Sequence, residues 1–405
     1  TCLAWNRCAM SWRLYDRPLR RILVTRLRYL GDVVMSTVVI EALRSGDPRL
    51  EIGYLCEEAY APVLAGHPDL ARVHALAVRR RGADARARRP GSARKMVDAA
   101  ATGAGVSPAV GATAQVLELR RHRYDAAVDL FFNPRSAWLL RLAGMPARLA
   151  GPAGSRSRLY THLTDARPAR RDPRWDTLAP GGLGDHLARL GPLTHVETGL
   201  GFSEWFATRG ERALPRLACR PLAPARAVSL LAQVRLESES GYLVLAPAAT
   251  WETKRWPVEQ WRDLAAALAR TWAGPIVVLT APGDEQVSAA IVASLPDGRG
   301  AALPVLPLTV VLDVVAAAAG LVTVDGGVMH AAVGLGTPVL ALFGPTDPRI
   351  WFPYEGAGPF AVLAQRPPCH PCDRHACDAF VCLPELTVAT VAARALALFG
   401  NGDAS

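Results

Sequence analysis

LVTVDGGVMHAAVGLGTPVLALFGPTDPRIWFPY, residues 321–354, decides the fold. Residues 321–324 are a short β-branched, apolar run ending at Asp325 and two glycines, and residues 329–334 continue with helical apolar spacing. Gly334, Gly336 and Pro338 then stop the helix, and residues 339–343 form a second apolar run. A strand, a glycine turn, a helix and another strand predict a parallel βαβ unit, because parallel strands need a crossover and are buried on both faces. Residues 326–346 have the length of a membrane span with His330 as their ionisable group, but the same glycines and proline fit helix, turn and buried strand better.

The pattern extends outward from this unit. Upstream, YLVLA (242–246) leads through a loop to a helix at 258–270, IVVLT (276–280) leads to a helix beginning near Asp284, and residues 309–319 read as helix. In the first half RILVT (21–25) is followed by a glycine-bearing turn to Asp32 and a helix at 33–44, with further strands predicted at 51–56, 73–76 and 125–130. Strands alternating with helices imply an α/β protein with parallel sheets covered on both faces. A chain of 405 residues exceeds a single core, so two doubly wound domains are expected. Pro, Arg and Gly weaken the pattern from 151 to about 224, which places the boundary near its end. The expected organisation is a tail at 1–20, domains at 21–224 and 225–385, and a C-terminal helix and tail at 386–405. Such a pair is expected to bind its ligand in an interdomain cleft, at the carboxyl ends of the strands. No internal sequence repeat is visible.

The formal net charge of +10 is local. Residues 79–95 hold eight Lys or Arg against one acid and residues 1–21 hold five against one, so these stretches carry +7 and +4 and the rest sums to −1. RRRGADARARRPGSARK has Gly and Pro but no aromatic residue, so it lacks the stacking groups of a single-strand nucleic-acid surface. It reads as a solvated loop, with attraction to anionic lipid headgroups as the functional alternative. Arg7, Arg13 and Asp16 interrupt any apolar signal segment, which favours a cytoplasmic protein, peripheral at most on the inner membrane face. The chain opens with Thr1, and Met10 stands just before the first strand-like run; we read the first nine residues as an upstream translation artefact.

Four segments fall at the predicted carboxyl ends. RLRYLGD (26–32) puts the Asp32 carboxylate at a strand-to-helix turn, where it serves either as a general base or as a plain helix cap. AATWETKRW (248–256) offers the Thr250 hydroxyl and the Lys254 ammonium, a point charge suited to phosphate. VDGGVMHAA (324–332) places Gly326 and Gly327 where backbone amides can approach an anion at a helix N-terminus. Its His330 reads as an added donor or as a satisfied core residue. FGPTDPRIWFP (343–353) is a Gly/Pro-rich turn that closes over a ligand or simply ends a strand.

In order and spacing these segments resemble the heptosyltransferase family of GT-B glycosyltransferases, which build the inner core of lipopolysaccharide. The resemblance covers residues 22–76, YDAAVDLFFNPRSAWLLRLAGMPARLAG (124–151) and 242 to about 398, and is most specific in the block quoted first. It implies two Rossmann-like domains, an acceptor-binding N-terminal half and a nucleotide-sugar-binding C-terminal half. It also implies inverting, metal-independent transfer of a heptose or similar sugar, with ADP-heptose the expected donor, to a lipopolysaccharide core or related glycolipid, and no cofactor. Asp32 matches the family's general base. Thr250 and Lys254 match groups that hold the donor diphosphate, and Asp325, Gly327 and His330 match the donor-binding turn and helix start, where Gly326 is counted for its backbone amide. Arg26 and Arg135 are assigned to the acceptor. The family often carries Thr or Ser where this chain has Gly326, so a hydroxyl contact is missing there. The sequence has no Asp-X-Asp triplet, in keeping with transfer in which Lys254 and amide dipoles carry the leaving-group charge.

Cys369, Cys372, Cys377 and Cys382 form C-x2-C-x4-C-x4-C with His370 and His375 interleaved. That density admits zinc or an iron–sulfur cluster, but the spacing fits neither a regular zinc finger nor a ferredoxin run, and a structural loop is the favoured reading. Some heptosyltransferases resemble this chain in carrying such a loop. Rival functions are a GT-B-like nucleotide-sugar epimerase, which needs no acceptor, and a noncatalytic nucleotide-sugar-binding protein. An NAD-dependent oxidoreductase is disfavoured because neither first turn contains G-x-G-x-x-G.

Overall fold

The computed structural model describes residues 13–14, 17–78, 105–150, 157–163, 214, 215, 217, 229–232, 241–352 and 354–400. The basic run at 79–95 and most of the irregular stretch at 151–224 lie outside the described residues. Two compact units divide the chain, Thr1–Ala213 and Leu214–Ser405.

In the first unit β1 (Arg13–Leu14) and β2 (Arg17–Pro18) form a short antiparallel ladder. The main sheet contains β3 (Arg21–Thr25), β4 (Glu51–Glu57), β5 (Arg72–Leu76), β6 (Ala126–Asp129), β7 (Ala147–Ala150) and β8 (His162–Leu163). All its pairings are parallel, in the order β5-β4-β3-β6-β7-β8. Its helices are α1 (Leu30–Met35), α2 (Thr37–Gly46), α3 (Ala112–His122) and α4 (Pro134–Leu142).

The single helix expected at 33–44 is broken at Ser36, which ends α1 and begins α2. The Ser36 and Thr37 hydroxyls donate to the carbonyls of Val33 and Val34, each at 2.7 Å. Such back-bonding competes with the helical ladder, which apolar spacing cannot reveal.

The second unit repeats the topology. Its strands are β9 (Leu243–Ala246), β10 (Ile276–Val278), β11 (Gly300–Ala302), β12 (Gly320–Val324), β13 (Val339–Phe343) and β14 (Phe360–Ala364), all parallel in the order β11-β10-β9-β12-β13-β14. Its helices are α5 (Val258–Thr271), α6 (Glu285–Val292), α7 (Leu308–Ala316), α8 (Gly327–Leu335), α9 (Pro348–Trp351) and α10 (Val388–Phe399). Gly336, at φ 78° in the left-handed region that glycine adopts without steric cost, ends α8 where the sequence places its stop.

Both sheets therefore wind outward from their first strand and restart beside it, between β3 and β6 and between β9 and β12. At such switch points the loops leaving adjacent strands diverge and open a crevice at the strands' carboxyl ends. Burial explains the uninterrupted apolar runs. In the second sheet Val244, Leu321, Val339 and Ala341 enter one core, while Leu243, Leu245, Val322 and Leu340 enter the core on the opposite face. Both faces are covered, so the strand positions are nearly all apolar, and the buried Thr323 hydroxyl donates to the Ala246 carbonyl. Among the described residues no helix is long and apolar enough to cross a membrane.

Candidate functional site

The second unit's switch point is built by the loops leaving β9 and β12. After β9 the chain passes the exposed Thr250 and makes a 3-10 turn, Glu252–Lys254. After β12 it reaches Asp325, then Gly326 as the N-cap of α8 and Gly327 as its first residue. Lys254 Nζ meets Asp325 Oδ2 at 2.6 Å, bridging the two loops. The Thr346 hydroxyl, from the turn after β13, donates to the same oxygen at 2.6 Å. Lys254 also sits over the Trp251 ring at 4.2 Å, with Trp351 at 5.9 Å. Both partners are largely shielded, with side-chain exposures of 13% and 4%, so the pair acts in a weaker dielectric than a surface ion pair.

No side chain caps α8. Its first-turn amides and the positive end of its dipole follow immediately after Asp325, the partner of the Lys254 ammonium, a combination whose charge suits an anion. His330 lies one turn into α8 and is buried, with Nδ1 2.9 Å from the Tyr354 hydroxyl and the rings edge to face. Burial pushes the Tyr354 phenol well above its ordinary pKa. The turn at 343–353 carries α9, whose N-cap Asp347 accepts from the Arg349 amide at 2.9 Å and pairs with the Arg349 side chain. That guanidinium lowers the Asp347 carboxyl pKa.

The first unit's switch point carries Arg26 and Asp32. Asp32 is in the first turn of α1, 9% exposed, where Oδ2 accepts from the Tyr29 amide at 3.1 Å. The Arg26 guanidinium pairs with the same oxygen, donates to the Leu130 carbonyl at 2.7 Å after β6, and lies 4.9 Å from the centroid of Phe131. The Tyr29 amide and the Arg26 guanidinium, itself held by Leu130 and Phe131, orient the Asp32 carboxylate through Oδ2. Arg135, in the first turn of α4, pairs with Glu57 at the end of β4 at 3.0 Å instead of joining Asp32. Beside them, buried Asp129 accepts from the Tyr160 hydroxyl at 2.5 Å, and burial raises its carboxyl pKa.

Sequence reasoning missed Trp251, Trp351, Thr346 and Phe131 as parts of these sites. All four lie in segments already singled out, but ring and hydroxyl contacts depend on strand order, which composition does not state. Cys369, Cys372, Cys377 and Cys382 carry free thiols. Among the described residues the group of His, Cys, Asp or Glu ligand atoms within 4.8 Å of one another is His74, Glu118 and His122, in the first unit. There His74 bridges Glu118 at 2.7 Å and the Tyr124 hydroxyl at 2.8 Å.

Known structures share this architecture. E. coli ADP-heptose lipopolysaccharide heptosyltransferase II superposes with a TM-score of 0.66 at 19% identity, over 95% of this chain and all of that one. E. coli heptosyltransferase WaaC with ADP gives 0.58 at 22%, over 92% and 97%. The fold is that of the GT-B glycosyltransferases. In sequence, lipopolysaccharide heptosyltransferase 1 of Pseudomonas aeruginosa is 26% identical over 361 residues, 88% of this chain and 87% of that one. The model of glycosyltransferase family 9 (heptosyltransferase) matches residues 219–379, so this part of the chain is similar to the glycosyltransferases of that family.

Proposed function

We propose that this enzyme transfers a heptose or similar sugar from a nucleotide diphosphate donor, ADP-heptose in the first instance, to a lipopolysaccharide core or related glycolipid. Transfer inverts the anomeric centre and uses no metal. The observation that carries this reading is the Lys254–Asp325 pair beside the uncapped start of α8, at the switch point of the second sheet. A donor diphosphate there would meet backbone amides and an ammonium, with Thr250 in reach of the same loop. As the glycosidic bond to the diphosphate breaks, its developing charge falls on Lys254 and the α8 amides, held in place before the reaction. Asp32 removes the proton from the acceptor hydroxyl while that oxygen attacks the anomeric carbon, and Arg26 holds the carboxylate in line.

The first unit is accordingly the acceptor side and the second the donor side. The net charge of +7 on residues 79–95 suits an anionic acceptor or lipid surface, and with it a cytoplasmic enzyme working at the inner membrane face. The relatives named above are lipopolysaccharide heptosyltransferases, which supports the acceptor class.

Kinetics with ADP-heptose and a heptose-deficient lipopolysaccharide acceptor test the proposal. Asp32→Asn is expected to lower kcat by about 10²–10⁴-fold while ADP binding, read by calorimetry, is retained. Unchanged turnover would remove Asp32 as the base. Release of ADP should require the acceptor; a donor altered in its absence would point to epimerisation instead.

A further inference from the structure

The cysteine-bearing segment, residues 369–382, is tied to both loops that hold Lys254. On one side, the amides of Cys372 and Asp373 donate to the Pro345 carbonyl at 2.9 and 3.2 Å, and His370 Nε2 lies 3.1 Å from the Thr346 carbonyl. Thr346 is the residue whose hydroxyl donates to Asp325. On the other side, the buried Thr253 hydroxyl donates to the Arg374 carbonyl at 2.5 Å. The His375 imidazole stacks on Trp251, ring centres 3.7 Å apart, and that indole also carries the Lys254 ammonium.

Gly344 shows how closely these segments approach. A Cβ there would lie 2.5 Å from the Thr253 carbonyl oxygen and 3.1 Å from Leu383, just beyond the last cysteine. Only a residue without a side chain lets the 250s loop, the turn after β13 and the end of the cysteine segment pack together.

We propose that the segment at 369–382 is a brace for the donor cradle, in which His375 and Thr253 are positioning residues that set Lys254 through Trp251 and the 3-10 turn. The inference rests on the donor reading only for its effect on nucleotide binding, because the placement of Lys254 can be measured without a donor. Loss of the stack frees Trp251 and lets the ammonium leave Asp325. His375 is exposed, so its replacement leaves the buried cores untouched.

The test compares full-length enzyme with His375→Ala, His375→Phe and Thr253→Val. Acylation of Lys254 by an amine-reactive ester, followed by peptide mass spectrometry, should rise about fivefold in His375→Ala, since a cation–π contact and its support are worth roughly this factor. His375→Phe keeps a stacking ring and should return the rate to within about twofold of wild type, while Thr253→Val should raise it. With donor, His375→Ala should raise KM by a similar factor and leave kcat nearly unchanged, a split that general unfolding does not produce. Labelling of Lys254 that is the same in wild type, His375→Ala and Thr253→Val overturns the brace. Should Lys254→Ala bind ADP as tightly as wild type, the donor assignment falls, and the labelling result still decides the brace.

Discussion

The Tyr124 hydroxyl occupies the space a side chain at position 53 would need: a Cβ on Gly53 would lie 2.0 Å from it. Tyr124 is held there by His74, which is held in turn by Glu118, so the phenol cannot swing aside without breaking a buried chain. Gly53→Ala should therefore destabilise the first unit by about 1–3 kcal/mol, measured by urea unfolding; an unchanged midpoint would mean that the ring relocates freely. Gly326 is the opposite case. It has extended backbone, φ −175° and ψ 178°, and a Cβ would meet only the Val324 carbonyl oxygen at 3.8 Å. Nothing steric requires glycine, so Gly326→Ser should fold normally and gain a few tenths of a kcal/mol from capping α8. Calorimetry with ADP would show whether the added hydroxyl also strengthens anion binding. At this scale the sequence was informative about single residues and silent about pairs. Lys254 and Asp325 were each legible as donor-side groups, but their ion pair exists only because β9 lies beside β12.

At the scale of elements, legibility follows burial. The strands RILVT and VLALF stand where their apolar runs predict, because both faces of each sheet are covered and nothing polar interrupts them. Outer strands are shorter or more mixed: Gly300–Ala302 is only part-buried, and Arg148 interrupts β7. Their runs therefore carry little signal. Helix α3 was also unread as a separate element, and it docks on β5 through Glu118 and His74. The hydrogen bond from His74 lowers the Glu118 pKa against the opposing effect of burial. A carboxylate whose folded pKa is depressed contributes stability that is complete above its unfolded value, about 4.3, and that disappears as pH falls through the folded value. Glu118→Gln should accordingly be less stable than wild type at neutral pH, and the difference should close on acidification below the usual carboxylate range. Urea unfolding of both proteins at neutral and acid pH measures it, and a gap independent of pH would show that the charge on Glu118 plays no part.

At the scale of the whole molecule, the same strand order occurs twice although no sequence repeat is visible. A parallel sheet asks for apolar strands and crossover helices, which many unrelated sequences supply, so topology repeats where residues do not. Among the described residues, the clusters flanking the second sheet draw on residues 214–399, and the cluster over the first draws on residues 23–160. The second unit alone should then fold and bind ADP. Where it starts matters, because composition alone places the boundary near 224, whereas Leu214 packs on the second core and the Leu217 amide donates to the Gly334 carbonyl at 3.1 Å. A Cβ at Gly334 would lie 2.8 Å from Leu217, so α8 is shaped to receive that residue. A fragment of residues 214–405 should unfold cooperatively and at higher urea than one of residues 225–405, which lacks both leucines and exposes the apolar surface they cover. ADP should bind the longer fragment at least as tightly as the shorter, since α8 carries the amides proposed to meet the diphosphate. Equal unfolding midpoints would show that Leu214 and Leu217 are incidental to the second unit.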